Sequence, residues 1–169
     1  MDENGFREIP NMEQNTCFGC GPNNEHGLRM KFYGNDKMVY SEIILPEYMT
    51  GWKNITHGGI LSTILDECMG RCAMLLLRKF PFTKSMTIDY HKPVMAGEKL
   101  RVESEIKEQI SDREVLVLGR VLNAKGELST SSTSIMYMVG TEFVKKLGIM
   151  DDKELEDFKY MLNFGSGGI

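Results

Sequence analysis

The chain has 169 residues, 41% of them hydrophobic, and a formal net charge of −4. That is enough for one domain with a sizeable core, and it argues against a disordered chain. Lys and Arg are spread along the sequence, so there is no basic footprint for nucleic acid, and no apolar run approaches a membrane span. Residues 1–16 are polar and acidic, read as a loosely ordered arm, and lack the pattern of a signal peptide. Residues 17–27 are rich in glycine, with Pro22, and read as an ordered loop. Leu28, Met30 and Phe32 alternate with Arg29, Lys31 and Tyr33, which predicts a strand. A turn at 34–37 leads to a second strand, Met38 to Leu45, closed by Pro46, and the two strands form a hairpin. Residues 46–57 are a loop around Trp52.

A helix is predicted from about Gly58 to Lys79. Ile60, Leu61, Ile64, Leu65, Cys68, Met69, Cys72, Ala73 and Leu76 recur at three-and-four spacing on one face. Four strands follow: Ser85 to Lys92, Glu98 to Gln109, Val115 to Leu122 and Leu128 to Val139. The third is nearly all apolar and is expected to be covered on both faces. Between Glu142 and Leu162 two short helices are separated by Gly148, with Phe143, Val144, Leu147, Leu155, Phe158, Met161 and Leu162 on one side. A hairpin, one long helix and an antiparallel meander predict an α+β fold, six strands wrapped around a central helix. The expected divisions are an arm over 1–16, one domain over 17–140 and a helical extension over 141–169.

The chemistry concentrates at the start of the long helix. His57-Gly58-Gly59 exposes backbone N–H groups at the positive end of the helix dipole. Asp66 lies about two turns on, inside the helix, where aspartate is a poor former and cannot act as a cap. Small residues flank it on the same face: Gly59, Ser62 and Gly70. N–H donors followed by a carboxylate are the components of a hydrolytic site. Glu67 has Arg71 four residues on, and an intrahelical salt bridge is expected there.

His57-Gly58-Gly59 with Asp66 nine positions after the histidine, then Glu67 and Gly70, resembles the hotdog-fold acyl-CoA thioesterases of the phenylacetate-pathway type. Two flanking segments resemble the same family: Cys17-Phe18-Gly19-Cys20-Gly21-Pro22-Asn23 with His26-Gly27-Leu28, and Tyr90-His91-Lys92-Pro93. The resemblance implies a hotdog fold and hydrolysis of an acyl-CoA, and the unpaired cysteines fit a cytoplasmic location. It gives Asp66 the role of nucleophile or general base and Gly58 N–H that of oxyanion donor. His57 then orients the loop or touches the carbonyl, and Thr83 holds a water or bonds backbone. It further implies a homodimer or homotetramer with the pocket between subunits. One departure is Gly51, where many relatives carry asparagine. A non-catalytic acyl-CoA binder or a hotdog dehydratase or hydratase are the other readings, and no match to the dehydratase pattern is present.

Gly59, Ser62, Lys84 and Lys92 are the candidate substrate-binding residues. The lysines, with Lys99, sit near strand ends where they can meet CoA phosphates, although ordinary surface lysines fit the same pattern. Met69, Met74 and Met86 fit either an acyl pocket or core filling. Cys17-x-x-Cys20 with Cys68 and Cys72 outlines a four-thiolate metal site. Cys68 and Cys72 lie on the apolar stripe of the helix, however, so reduced thiols are expected, with no metal and no cofactor.

Overall fold

The computed structural model describes residues 5–163. The first hairpin is present but unequal. Strand β2 (Tyr33–Gly34) pairs with β3 (Met38–Ile44) through Tyr33 and Tyr40, and β1 (Arg7–Glu8) adds to the outside of β2. The strand expected over 28–33 shortens because its backbone is engaged elsewhere. Leu28 and Met30 donate their N–H groups to the carbonyls of Phe18 and Gly19. The alternation survives without a ladder: Met30 and Phe32 are buried, Arg29 and Lys31 exposed. Inside the expected loop, β4 (Thr50–Trp52) and β5 (Ile55–Thr56) form a separate small hairpin that leaves Trp52 exposed.

Helix α1 (Gly58–Leu77) ends with Arg78 in the left-handed region at φ 53°. Its buried side chains include Leu61, Ile64, Leu65, Cys68, Met69 and Cys72, the stripe predicted from periodicity. Strand β6 (Phe80–Tyr90) begins at once, earlier than its alternation suggests. Pro81 is tolerated there because β6 is an edge of the sheet, where one side needs no donor. Then come β7 (Lys99–Gln109), β8 (Glu114–Leu122) and β9 (Leu128–Val139). The sheet is antiparallel, ordered β1-β2-β3-β7-β8-β9-β6, seven strands where six were expected. Its inner face wraps α1, and Val102, Val115, Val117, Val121 and Met136 pack on the helix stripe. β8 is covered on this inner face alone. Leu116 and Leu118 are only half-buried and Arg120 is exposed, because none of the described residues lies over the outer face there.

The extension folds as α2 (Thr141–Lys146) and α3 (Asp152–Leu162). α3 starts with a capping box: the Asp151 carboxylate accepts from Glu154 N–H, and the Glu154 carboxylate accepts from Asp151 N–H, both at 2.8 Å. Val144, Leu155, Phe158, Met161 and Leu162 are buried as expected. Phe143 and Leu147 are exposed instead, since α2 is one short helix and Gly148 turns the chain at φ 67°. The ends of the expected arm and extension, 1–4 and 164–169, lie outside the described residues. No helix among the described residues is long and apolar enough to cross a membrane.

Candidate active site

The start of α1 is organised by His57. Its Nδ1 accepts from Gly59 N–H at 2.9 Å, and its carbonyl accepts from Ile60 and Leu61. His57 is therefore the helix N-cap, and an accepting Nδ1 fixes the proton of the neutral ring on Nε2. Gly58 N–H is the first-turn donor left without a partner among the described residues, at the positive end of the helix. The Gly58 carbonyl accepts from Ser62 Oγ at 3.0 Å and from the Tyr90 hydroxyl at 3.1 Å, and those two hydroxyls lie 2.9 Å apart. A Cβ on Gly58 would come within 3.3 Å of the Tyr90 hydroxyl, so glycine is what lets this tyrosine close over the helix start. Tyr90 stood out in the sequence only as part of a strand-end segment. Its aromatic side chain beside the helix start was the available signal.

Asp66 follows eight residues later, about 12 Å along the helix axis. It accepts from Thr83 Oγ1 at 2.7 Å, so the Thr83 hydroxyl bonds the carboxylate rather than backbone. A register shift in β6 between Thr83 and Ser85 locates this contact at an irregular point of the edge strand. Asp66 and Thr83 border a cavity of about 270 Å³ whose apolar walls include Met12, Met74, Phe80, Met150, Phe158 and Met161. Two of those come from α3, so the extension builds part of the candidate site. Of the three methionines weighed for an acyl pocket, Met74 lines the cavity, whereas Met69 is fully buried in the core and Met86 packs against that core. Gly58 and Tyr90 border a different cavity, with Leu61, Lys92 and Val94. One chain thus holds the donor and the carboxylate apart.

The lysines near the strand ends are engaged. Lys84 pairs with Glu114 at 2.6 Å, Lys92 with Glu127 at 3.2 Å and Lys99 with Glu42 at 2.7 Å. Gly59 offers its carbonyl to Thr63 Oγ1.

Glu67 does not pair with Arg71 as its spacing suggested. The Cys17–Gly21 loop lies over this face of α1 and intervenes. Glu67 Oε1 is 2.9 Å from Cys17 Sγ, and a Cβ on Gly19 would collide with Glu67 Cγ. Arg71 is buried and donates to Cys20 Sγ at 3.2 Å and Met161 Sδ at 3.0 Å, with its guanidinium over the Phe32 ring. Hydrogen-bonded neighbours, Cys20 first and then Glu67, hold Cys17 down at about 4 against the cost of burial. The same Cys17–Cys20 bond, with burial, pushes Cys20 up. Burial, with the neighbouring Cys17, pushes Glu67 up to about 7. Cys68 and Cys72 lie on the opposite side of the helix, bonded to Ser104, and burial raises both, Cys72 to about 12.

Residues 53–130 match the family model described as the Thioesterase superfamily. No curated protein matches the sequence. The fold is similar to the crystal structure of a thioesterase superfamily protein, with a TM-score of 0.66 at 22% identity. That match covers 72% of this chain and 60% of the other, so the chain spans less than two thirds of that neighbour's length. A hypothetical thioesterase from Streptococcus pneumoniae with coenzyme A is similar at a TM-score of 0.58 and 21% identity, over 63% of this chain and 81% of that one. The PaaI protein from the phenylacetic acid degradation operon of E. coli is similar at 0.61 and 16%, over 67% and 81%. The chain therefore has the hotdog fold of these neighbours, with a match to the Thioesterase superfamily model over residues 53–130.

Proposed function

We propose that this protein is an acyl-CoA thioesterase whose active site is assembled from two chains. The observation that carries the reading is the Asp66–Thr83 pair at the mouth of an apolar cavity, with an unpartnered Gly58 N–H about 12 Å away on the same helix. A thioester carbonyl needs an attacking group on one side and an oxyanion donor within about 3 Å of its oxygen. One chain cannot bring these two groups to one carbonyl; two chains can. β6 is an 11-residue edge strand carrying Thr83 near one end and Tyr90 at the other. An antiparallel, two-fold join of two β6 strands sets the Asp66–Thr83 end of one chain against the Gly58–Tyr90 end of its partner.

In that assembly Gly58 N–H of the partner subunit polarises the carbonyl and stabilises the oxyanion. Asp66 attacks the carbonyl carbon or takes the proton of an attacking water, with Thr83 holding its carboxylate in place. Collapse of the tetrahedral intermediate breaks the C–S bond and releases the CoA thiolate, which is protonated. If Asp66 itself attacked, water then cleaves the acyl anhydride. His57 acts through the loop, as the cap that leaves Gly58 N–H free. Gly59 and Ser62 lie along the approach to the helix start. Lys84 and Lys92 take CoA phosphates by exchanging solvent-screened surface ion pairs. The two engaged thiols and two buried ones suit a reducing cytoplasm.

Support comes from the Streptococcus pneumoniae neighbour, which binds coenzyme A and has also been crystallised with alanine replacing an aspartate and, separately, a threonine. The test is a panel of acyl-CoAs, short to long and aromatic, assayed for released thiol. Turnover of at least one, abolished in Asp66→Asn, is expected. Tight binding of acyl-CoAs with no turnover of any would make the protein a non-catalytic binder.

A further inference from the structure

We propose that Cys17, Cys20 and Glu67 form a binding site for a single zinc ion, with Arg71 hydrogen-bonded to it from behind. This inference is independent of the thioester reading. The three ligand atoms, two Sγ and one carboxylate oxygen, all lie within 4.8 Å of one another. Tetrahedral zinc with bonds of about 2.3 Å to sulfur and about 2.1 Å to oxygen needs ligand atoms roughly 3.6–3.8 Å apart. The 2.9 Å Cys17–Glu67 contact opens by less than about 1 Å to admit the ion, a side-chain rotation rather than a backbone change.

The loop is a tight turn that brings both sulfurs to one side: Gly21 N–H closes it on the Cys17 carbonyl at 2.9 Å. Cys20 Sγ receives Arg71 at 3.2 Å and the Asn15 amide at 3.5 Å. A thiol is a weak acceptor, and two donors gathered on Cys20 Sγ suit a metal-bound sulfur. Charge points the same way. Arg71 is buried, and among the described residues its hydrogen bonds go to two sulfur atoms and to no carboxylate. Two thiolates and a carboxylate carry −3, zinc supplies +2 and Arg71 +1, which closes to zero.

The sequence argued against metal because Cys68 and Cys72 were the candidate partners. Those two do lie across the helix, but Glu67, assigned by spacing to Arg71, takes the third position instead. Three protein ligands leave a fourth coordination position. Cys17, Cys20 and Glu67 line the same cavity as Asp66 and Thr83, so that position opens toward it and takes water or an anionic oxygen.

The full chain, purified under reducing conditions without chelator, is assayed for metal by mass spectrometry. The chelated protein is then titrated with Co²⁺. About one zinc per chain is expected, and a thiolate-to-cobalt charge-transfer band. Cys17→Ser and Cys20→Ser each weaken that band, and Glu67→Gln keeps it with affinity lower by ~10- to 100-fold. Wild-type protein supplies a readout that survives misfolding of any variant: zinc slows thiol-reagent labelling of Cys17 and Cys20, and chelator restores it. Metal binding weaker than about 1 µM, cobalt bound without a charge-transfer band, or labelling unaffected by zinc overturns the site.

Discussion

A carboxylate inside a helix costs stability, and Asp66 is held there by a hydroxyl from another element. The Thr83 bond at 2.7 Å orients one oxygen. Asp66→Asn keeps the shape and the hydrogen-bonding capacity but loses the charge. Thioester hydrolysis is expected to fall ~10²- to 10⁴-fold in kcat, with the melting temperature within a few degrees of wild type. Thr83→Ala is expected to lower kcat by a smaller factor, about tenfold, and Thr83→Ser to restore most of it. Unchanged turnover in Asp66→Asn would remove the carboxylate from the mechanism. Asp66 was legible in the sequence because a mid-helix aspartate among small residues conflicts with local propensity. Glu67 was misread for the opposite reason. Its i, i+4 partner satisfied a rule confined to one helix, while the residue that meets it, Cys17, lies 50 positions earlier in a loop whose path no periodicity records.

At the scale of elements, the sheet has an ionic staple on its outer face. Glu103 of β7 accepts from Arg101 at 2.6 Å and from Arg120, its register partner on β8, at 2.7 Å. Burial alone pushes the Glu103 carboxyl up, but the two guanidiniums outweigh it and its pKa is lowered from the ordinary value. A lowered folded pKa contributes stability above the ordinary carboxylate range and loses it as pH falls through the folded value. Wild-type stability is therefore expected to drop below about pH 4.5, while Glu103→Gln, about 1–2 kcal/mol less stable at neutral pH, shows a flatter acid limb. Denaturant midpoints at several pH values check this, and parallel curves would refute it. On the other face, Phe158 of α3 is fully buried, and its ring lies 5.4 Å from that of Phe80. Phe158→Ala is expected to cost about 3–4 kcal/mol and to shift acyl preference toward longer chains, since the side chain walls the Asp66 cavity. Elements with long periodic patterns, α1 and β9, were readable to within two residues. β2 and the β4–β5 hairpin were not. Their length is set by which backbone groups the Cys17 loop and residues 94–96 capture, a long-range competition that leaves no local trace.

The whole molecule is where the candidate site becomes complete or fails. Gly58 and Asp66 border separate cavities in one chain, so an enzyme that needs both must be oligomeric. Complementation tests this more sharply than size. Gly58→Pro removes the N–H at a position suited to proline, the first residue of a helix. His57 before it already has φ −63° and ψ 133°, the extended conformation that a residue preceding proline prefers. An added Cβ meets the outer end of the Tyr90 ring, its hydroxyl at 3.3 Å and two ring carbons at 3.4 Å, and a melting curve checks that the fold tolerates the shift. Asp66→Asn and Gly58→Pro are each expected to be inactive alone. When they are co-expressed in equal amounts, half of the dimers are hybrids. Each hybrid contains one intact site, with Gly58 N–H from one chain and Asp66 from the other, and one doubly altered site. Activity should return to about a quarter of wild type. A monomer by light scattering at assay concentration would refute the assembly. A dimer with no regained activity would refute the division of Gly58 and Asp66 between chains, because a site built within each chain gives hybrids of two dead halves.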